Sequence, residues 1–103
     1  MASSKDFISF VMEQLSVLPG VDYRAMMGEY IIYFRGRVIG GIYDNRFLVK
    51  PVAAAKKIMP SAPMEIPYPG GKPMIMIADI ENPELLEKLF ITMYPELPDK
   101  RRK

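Results

Sequence analysis

Two dipeptides, Arg35-Gly36 and Asp44-Asn45, constrain this chain more than any other feature. Each is flanked by runs dense in aromatic and β-branched residues, 29–34, 38–43 and 46–50, which favour a pleated surface. Gly, Asp and Asn tolerate the positive φ that two-residue hairpin loops demand, so the three runs are expected to fold back on one another as an antiparallel meander. Two-residue loops also fix the register: Phe34 lies opposite Arg37 and Tyr43 opposite Arg46.

The flanking sequence supplies helices for that sheet. Ser3 or Ser4 can cap a first helix, in which Phe7, Val11 and Leu15, with Ile8, Met12 and Leu18, recur at three- and four-residue spacing before "LPG" stops it. Residues 22–27 read as a strand. Pro51 suits the first turn of a second helix, "PVAAAKKIM", which Pro60 and the extended "PSAP" terminate. A loop with Pro67, Pro69 and two glycines leads to "KPMIMIAD", an apolar run read as another strand. Asn82, Pro83 and Glu84 then combine a capping side chain, a proline for the first turn and an acid at the positive end of the helix dipole. Leu85, Leu86, Leu89, Phe90 and Met93 stripe that last helix before Pro95 and Pro98 end it. The order is α-β-β-β-β-α-β-α. It predicts a two-layer α+β fold, a largely antiparallel sheet of about five strands with helices on one face. The 103 residues suit one domain, 1–99, followed by a basic tail, 100–103.

Composition restricts the chemistry. The chain has no cysteine and no histidine, which removes disulfides, thiolate and imidazole metal ligands, and the Ser-His and Cys-His pairs of nucleophilic catalysis. Glu29, Asp44 and Asp79 are carboxylates without metal-site spacing, and "PYPGGKP" lacks the spacing of a phosphate-binding loop. The expectation is a non-enzymatic protein with no cofactor and no metal. The tail supplies +4, leaving 10 basic and 12 acidic residues in the body, so bulk charge does not argue for nucleic acid. No apolar run approaches the ~20 residues of a membrane-spanning helix, and no secretory signal is evident, so a cytoplasmic protein is expected.

Alternation along the meander places Ile31, Tyr33, Val38, Ile42, Phe47 and Val49 on the expected core face. The other face would carry Tyr30, Ile32, Phe34, Arg37, Ile39, Tyr43, Arg46, Leu48 and Lys50. Aromatics interleaved with cations there suit a protein partner or second copy, or a single-stranded nucleic acid whose bases stack and whose phosphates meet Arg37, Arg46 and Lys50. A plain outer face, with basic stems covering rings, is the other reading. Arg24 near Glu29 is either an ion pair bridging strands or an anion site. Met26 and Met27 are gap fillers or an adaptable contact surface. Gly28 suits a bend between strands, and Gly40 and Gly41 a bulge or the close approach of a helix.

With the strands placed, "RAMMGEYIIYFRGRVIGGIYDNRFLVK", residues 24–50, resembles the TfoX N-terminal domain family. It gives that family's order of an Arg, a Met, a Gly, aromatics, a glycine turn, an acidic turn and a closing Leu-x-Leu-Lys-like strand. "GGKPMIMI" and "NPELLEKLF" are similar to the family's final strand and helix. Met27 stands where Phe is common, Glu29 where a second Gly is, Arg35 where Asp often precedes the turn glycine, and Phe90 near a frequent Trp. The resemblance implies an α+β sheet like that of type III secretion chaperones and an association with bacterial competence regulation. Longer members carry a second domain; an N-terminal module alone is expected to be regulatory or adaptor-type.

Overall fold

Both hairpin turns form as the dipeptides require. Arg35 and Gly36 have φ of 52° and 85°, and Asp44 and Asn45 of 52° and 59°, the paired left-handed geometry whose twist matches that of the strands. Phe34 pairs with Arg37, and Tyr43 and Arg46 exchange backbone hydrogen bonds of 2.9 and 3.0 Å. The structure is a computed structural model that describes residues 4–26 and 29–98. Met27, Gly28 and the basic tail lie outside the described residues, as do the expectations attached to them.

The order is α1 (Lys5–Leu15), β1 (Val21–Met26), β2 (Glu29–Phe34), β3 (Arg37–Ile42), β4 (Phe47–Val49), α2 (Ala53–Ile58), β5 (Met64–Glu65), β6 (Met74–Met76) and α3 (Pro83–Met93), followed by a 3-10 turn, Tyr94–Glu96. The strands make one antiparallel sheet in the order β1-β2-β3-β4-β6-β5. It has six strands where the sequence suggested about five, because the segment after "PSAP" adds a two-residue edge strand on β6. Ser4 caps α1 by accepting from the Phe7 N–H at 3.1 Å, and Asn82 caps α3 by accepting from the Leu85 N–H at 3.1 Å. Pro51 falls outside α2. The cap position is Val52, and the Glu96 carboxylate, arriving from the 3-10 turn, accepts the Ala54 N–H at 2.9 Å.

All three helices pack on one face of the sheet. Ile8, Val11 and Leu15 of α1, Ala54 and Ala55 of α2, and Leu86, Leu89, Phe90 and Met93 of α3 share one buried cluster with Ile32, Phe34, Ile39, Ile42, Phe47 and Val49. Phe90 meets Phe34 and Phe47 edge-on, with centroids 5.5 and 6.4 Å apart.

That cluster corrects the expected assignment of faces. Simple alternation is right for β4 and the end of β3, where Ile42, Phe47 and Val49 are core residues and Tyr43, Arg46, Leu48 and Lys50 point away. It is inverted for β2 and the start of β3: Ile32, Phe34 and Ile39 are buried, and Ile31, Tyr33 and Val38 are not. The cause is a bulge. Tyr33 pairs with Val38 but Ile32 pairs with Gly40, so Ile39 is an extra residue on β3, and one extra residue reverses every side chain before it. Gly40 is where this is accommodated. A Cβ there would collide with the β4 backbone, at the Leu48 carbonyl and at Val49 Cα, so the close neighbour is a strand, not a helix.

Candidate interaction face

The face away from the helices is built from alternate residues of each strand: Asp22, Arg24 and Met26 of β1, Glu29, Ile31 and Tyr33 of β2, and, past the bulge, Tyr43, Arg46, Leu48 and Met76. Half of it is covered. Residues 66–73 fold back over β3 and β4, with Pro67 buried and the Tyr68 ring 6.0 Å from that of Tyr43. Leu48 is fully buried on this side, although it faces away from the helix-packed core.

Arg46 fastens the proline loop. Its Nε donates to the Tyr43 carbonyl at 3.2 Å, its Nη1 to Glu65 Oε1 at 3.2 Å, and its Nη2 to the Pro67 carbonyl at 3.3 Å. Tyr43 lies over Gly41, where a Cβ would stand 2.7 Å from its Cε2. The Tyr43 pKa is raised, first by burial and then by the neighbouring Tyr68 hydroxyl and Glu29 carboxylate, all of which disfavour a phenolate.

The residues expected to form one basic and aromatic stripe are therefore divided. Phe34 is in the core, and Tyr30 packs against its margin beside Tyr23, ring centroids 5.6 Å apart. Arg37 lies on the helix side. It donates to the Tyr94 and Leu97 carbonyls at 3.2 and 3.3 Å and stacks over the Tyr94 ring at 4.5 Å, a cation that fastens the 3-10 turn following α3 to the sheet. Tyr43, Arg46 and Lys50 stay on the outer face, but Arg46 is engaged and Lys50 lines the groove under the proline loop. Arg24 does not meet Glu29: its guanidinium is 6.0 Å from the centre of the Tyr33 ring, while Glu29 Oε1 accepts the Asp44 N–H at 3.2 Å.

Alternation alone did not single out the apolar groove between the end of the β1–β2 hairpin and the proline loop. Met26, Ile31, Tyr43 and Tyr68 line it, with Glu29 as its charged member. Of these, Met26 and Tyr68 stand 48 and 55 % exposed, and Ile66, 53 % exposed, lines the neighbouring hollow with Glu29 and Tyr68. A signal was present in "EIPYPGG", where an isoleucine and a tyrosine sit among turn-forming residues that cannot bury them in a regular element. Among the described residues, no group of three or more acidic side chains could hold a metal ion, and no helix is long and apolar enough to cross a membrane.

The fold and this face define a small α+β module with an antiparallel sheet open on one side. No family model matches the chain, and no solved structure matches it. It is 32% identical over 94 residues to the "Uncharacterized 12.7 kDa protein in trpE 5'region" of Spirochaeta aurantia, a match covering 89% of this chain and 82% of that one. The chain belongs to the same family as that spirochaete protein.

Proposed function

We propose that the protein is a non-enzymatic regulatory or adaptor-type module, resembling the N-terminal domain of TfoX competence regulators, that acts in the cytoplasm by protein–protein contact. The observation that carries this reading is the groove lined by Met26, Ile31, Tyr43 and Tyr68, whose exposed rim is apolar beside a single carboxylate. Clustered exposed methionine and aromatic side chains are what a protein contact desolvates with profit and what an isolated fold has no reason to hold in water. Without imidazole or thiol, nothing there is poised for bond-making near neutral pH. The nucleic-acid alternative needs Arg37, Arg46 and Lys50 on one face, whereas Arg37 lies on the helix side and Arg46 holds the proline loop.

The test compares affinity capture by the wild-type chain with capture by Met26→Lys/Tyr68→Lys, with Val17→Lys/Ile91→Lys as a control at exposed apolar positions elsewhere. A protein held by wild type and control, lost by the groove variant, and rebinding when purified supports the proposal. Equal capture by all three chains contradicts it, as does retention of nucleic acid that falls steeply with salt.

A further inference from the structure

We propose that β1 is a self-pairing edge, through which two copies join antiparallel about Tyr23 into one continuous sheet. This is independent of the outer-face reading. β1 ends the sheet, and among the described residues no strand pairs with its far side. Which of its backbone groups face outward follows from the ladder. The Arg35 N–H donates to the Gly20 carbonyl at 2.8 Å, so Gly20 and Arg35 are a hydrogen-bonded pair, and hydrogen-bonded pairs recur at every second residue. Asp22, Arg24 and Met26 thus turn their backbone groups toward β2, while Val21, Tyr23 and Ala25 turn theirs outward. The Tyr23 N–H confirms this geometry: it donates to the carboxylate of Asp22 at 2.8 Å, outside the ladder.

An exposed edge invites another strand, and a symmetric pair places the same strand on both sides. Charge selects the register. Outward-facing groups of one copy must meet outward-facing groups of the other, and keeping at least two hydrogen-bonded pairs within Val21–Ala25 leaves pairings centred on Asp22, Tyr23 or Arg24. Centring on Asp22 sets two carboxylates directly opposite, and centring on Arg24 sets two guanidinium groups opposite, both unfavourable. Centring on Tyr23 sets Asp22 of each copy against Arg24 of the other, both on the outer face. It forms about six backbone hydrogen bonds through Val21, Tyr23 and Ala25. Asp22 then exchanges its own strand's N–H for the opposing guanidinium, and the Tyr23 rings, 47 % exposed in one copy, meet across the helix side.

Sedimentation over a concentration series at low salt tests this. The wild-type chain is expected to dimerise. Asp22→Arg and Arg24→Asp, both at exposed positions, are each expected to weaken dimerisation by about tenfold or more, while the double exchange Asp22→Arg/Arg24→Asp restores it. Mixing the two single variants should give a heterodimer tighter than either alone, an outcome that loss of folding cannot produce. A wild-type chain monomeric at every attainable concentration overturns the proposal, as does a dimer indifferent to the single exchanges. Neither result touches the groove reading, because the exchanges at Asp22 and Arg24 leave the groove's Met26 and Tyr68 unchanged.

Discussion

Arg46, just before β4, and Glu65, on the edge strand β5, stand 3.2 Å apart and hold the proline loop against the sheet, and the arginine does most of the holding. The ion pair is partly exposed, so Glu65→Gln should cost less than about 1 kcal/mol. Arg46→Ala also removes donors to the Tyr43 and Pro67 carbonyls and should cost about 1–2 kcal/mol. Hydrogen exchange is the specific readout: residues 66–73 should exchange faster in Arg46→Ala while α1 and α3 keep their protection.

The bulge predicts an intolerance at Gly40. Alanine there meets the β4 backbone, which cannot give way as a side chain tip can, so Gly40→Ala should destabilise by about 3 kcal/mol. Alanine at Gly36 has open space around it and faces only the left-handed φ, a penalty of about 1 kcal/mol. Urea denaturation of the two variants checks the ranking.

Tyr43 gives a pH dependence whose sign is fixed. Its pKa is raised in the folded state, so the native protein holds this proton more tightly than the unfolded chain, whose tyrosines titrate near about 10. The stability linked to Tyr43 is complete below that pH and is lost as pH rises through the higher folded pKa. Between pH 9 and 11 the wild-type chain should therefore lose more stability than Tyr43→Phe. Absorbance titration should show a phenolate signal above the ordinary tyrosine range that Tyr43→Phe removes.

Much of the architecture was legible because its signals are local. Turn dipeptides, the caps at Ser4 and Asn82, and the helical stripes act within a few residues, and each element formed close to where those residues placed it. The division of faces was not legible, because it depends on one residue, Ile39, that has no partner on β2, and an alternating pattern of apolar residues reads equally well in either phase. "IGG" marked a bulge, but propagating it back through β2 requires knowing which of two apolar sets the helices cover. The candidate site suffered accordingly. Tyr43, Arg46 and Lys50, after the bulge, lie on the outer face as expected, whereas Tyr30, Phe34 and Arg37, before it, do not. The roles of Arg37 and Arg46 rest on carbonyls 57 and 21 residues away, which no local pattern announces.

The outer face and the groove proposed on it stand on which side of β2 is buried, and paired truncations measure that directly. Phe34 is enclosed by Phe90 and Tyr94, whereas the adjacent Tyr33 looks out from the opposite face. Equilibrium unfolding should show Phe34→Ala losing about 3–5 kcal/mol and Tyr33→Ala about 1 kcal/mol or less. The reverse order, with Tyr33→Ala the more damaging, would contradict the bulge, the outer face and the groove together.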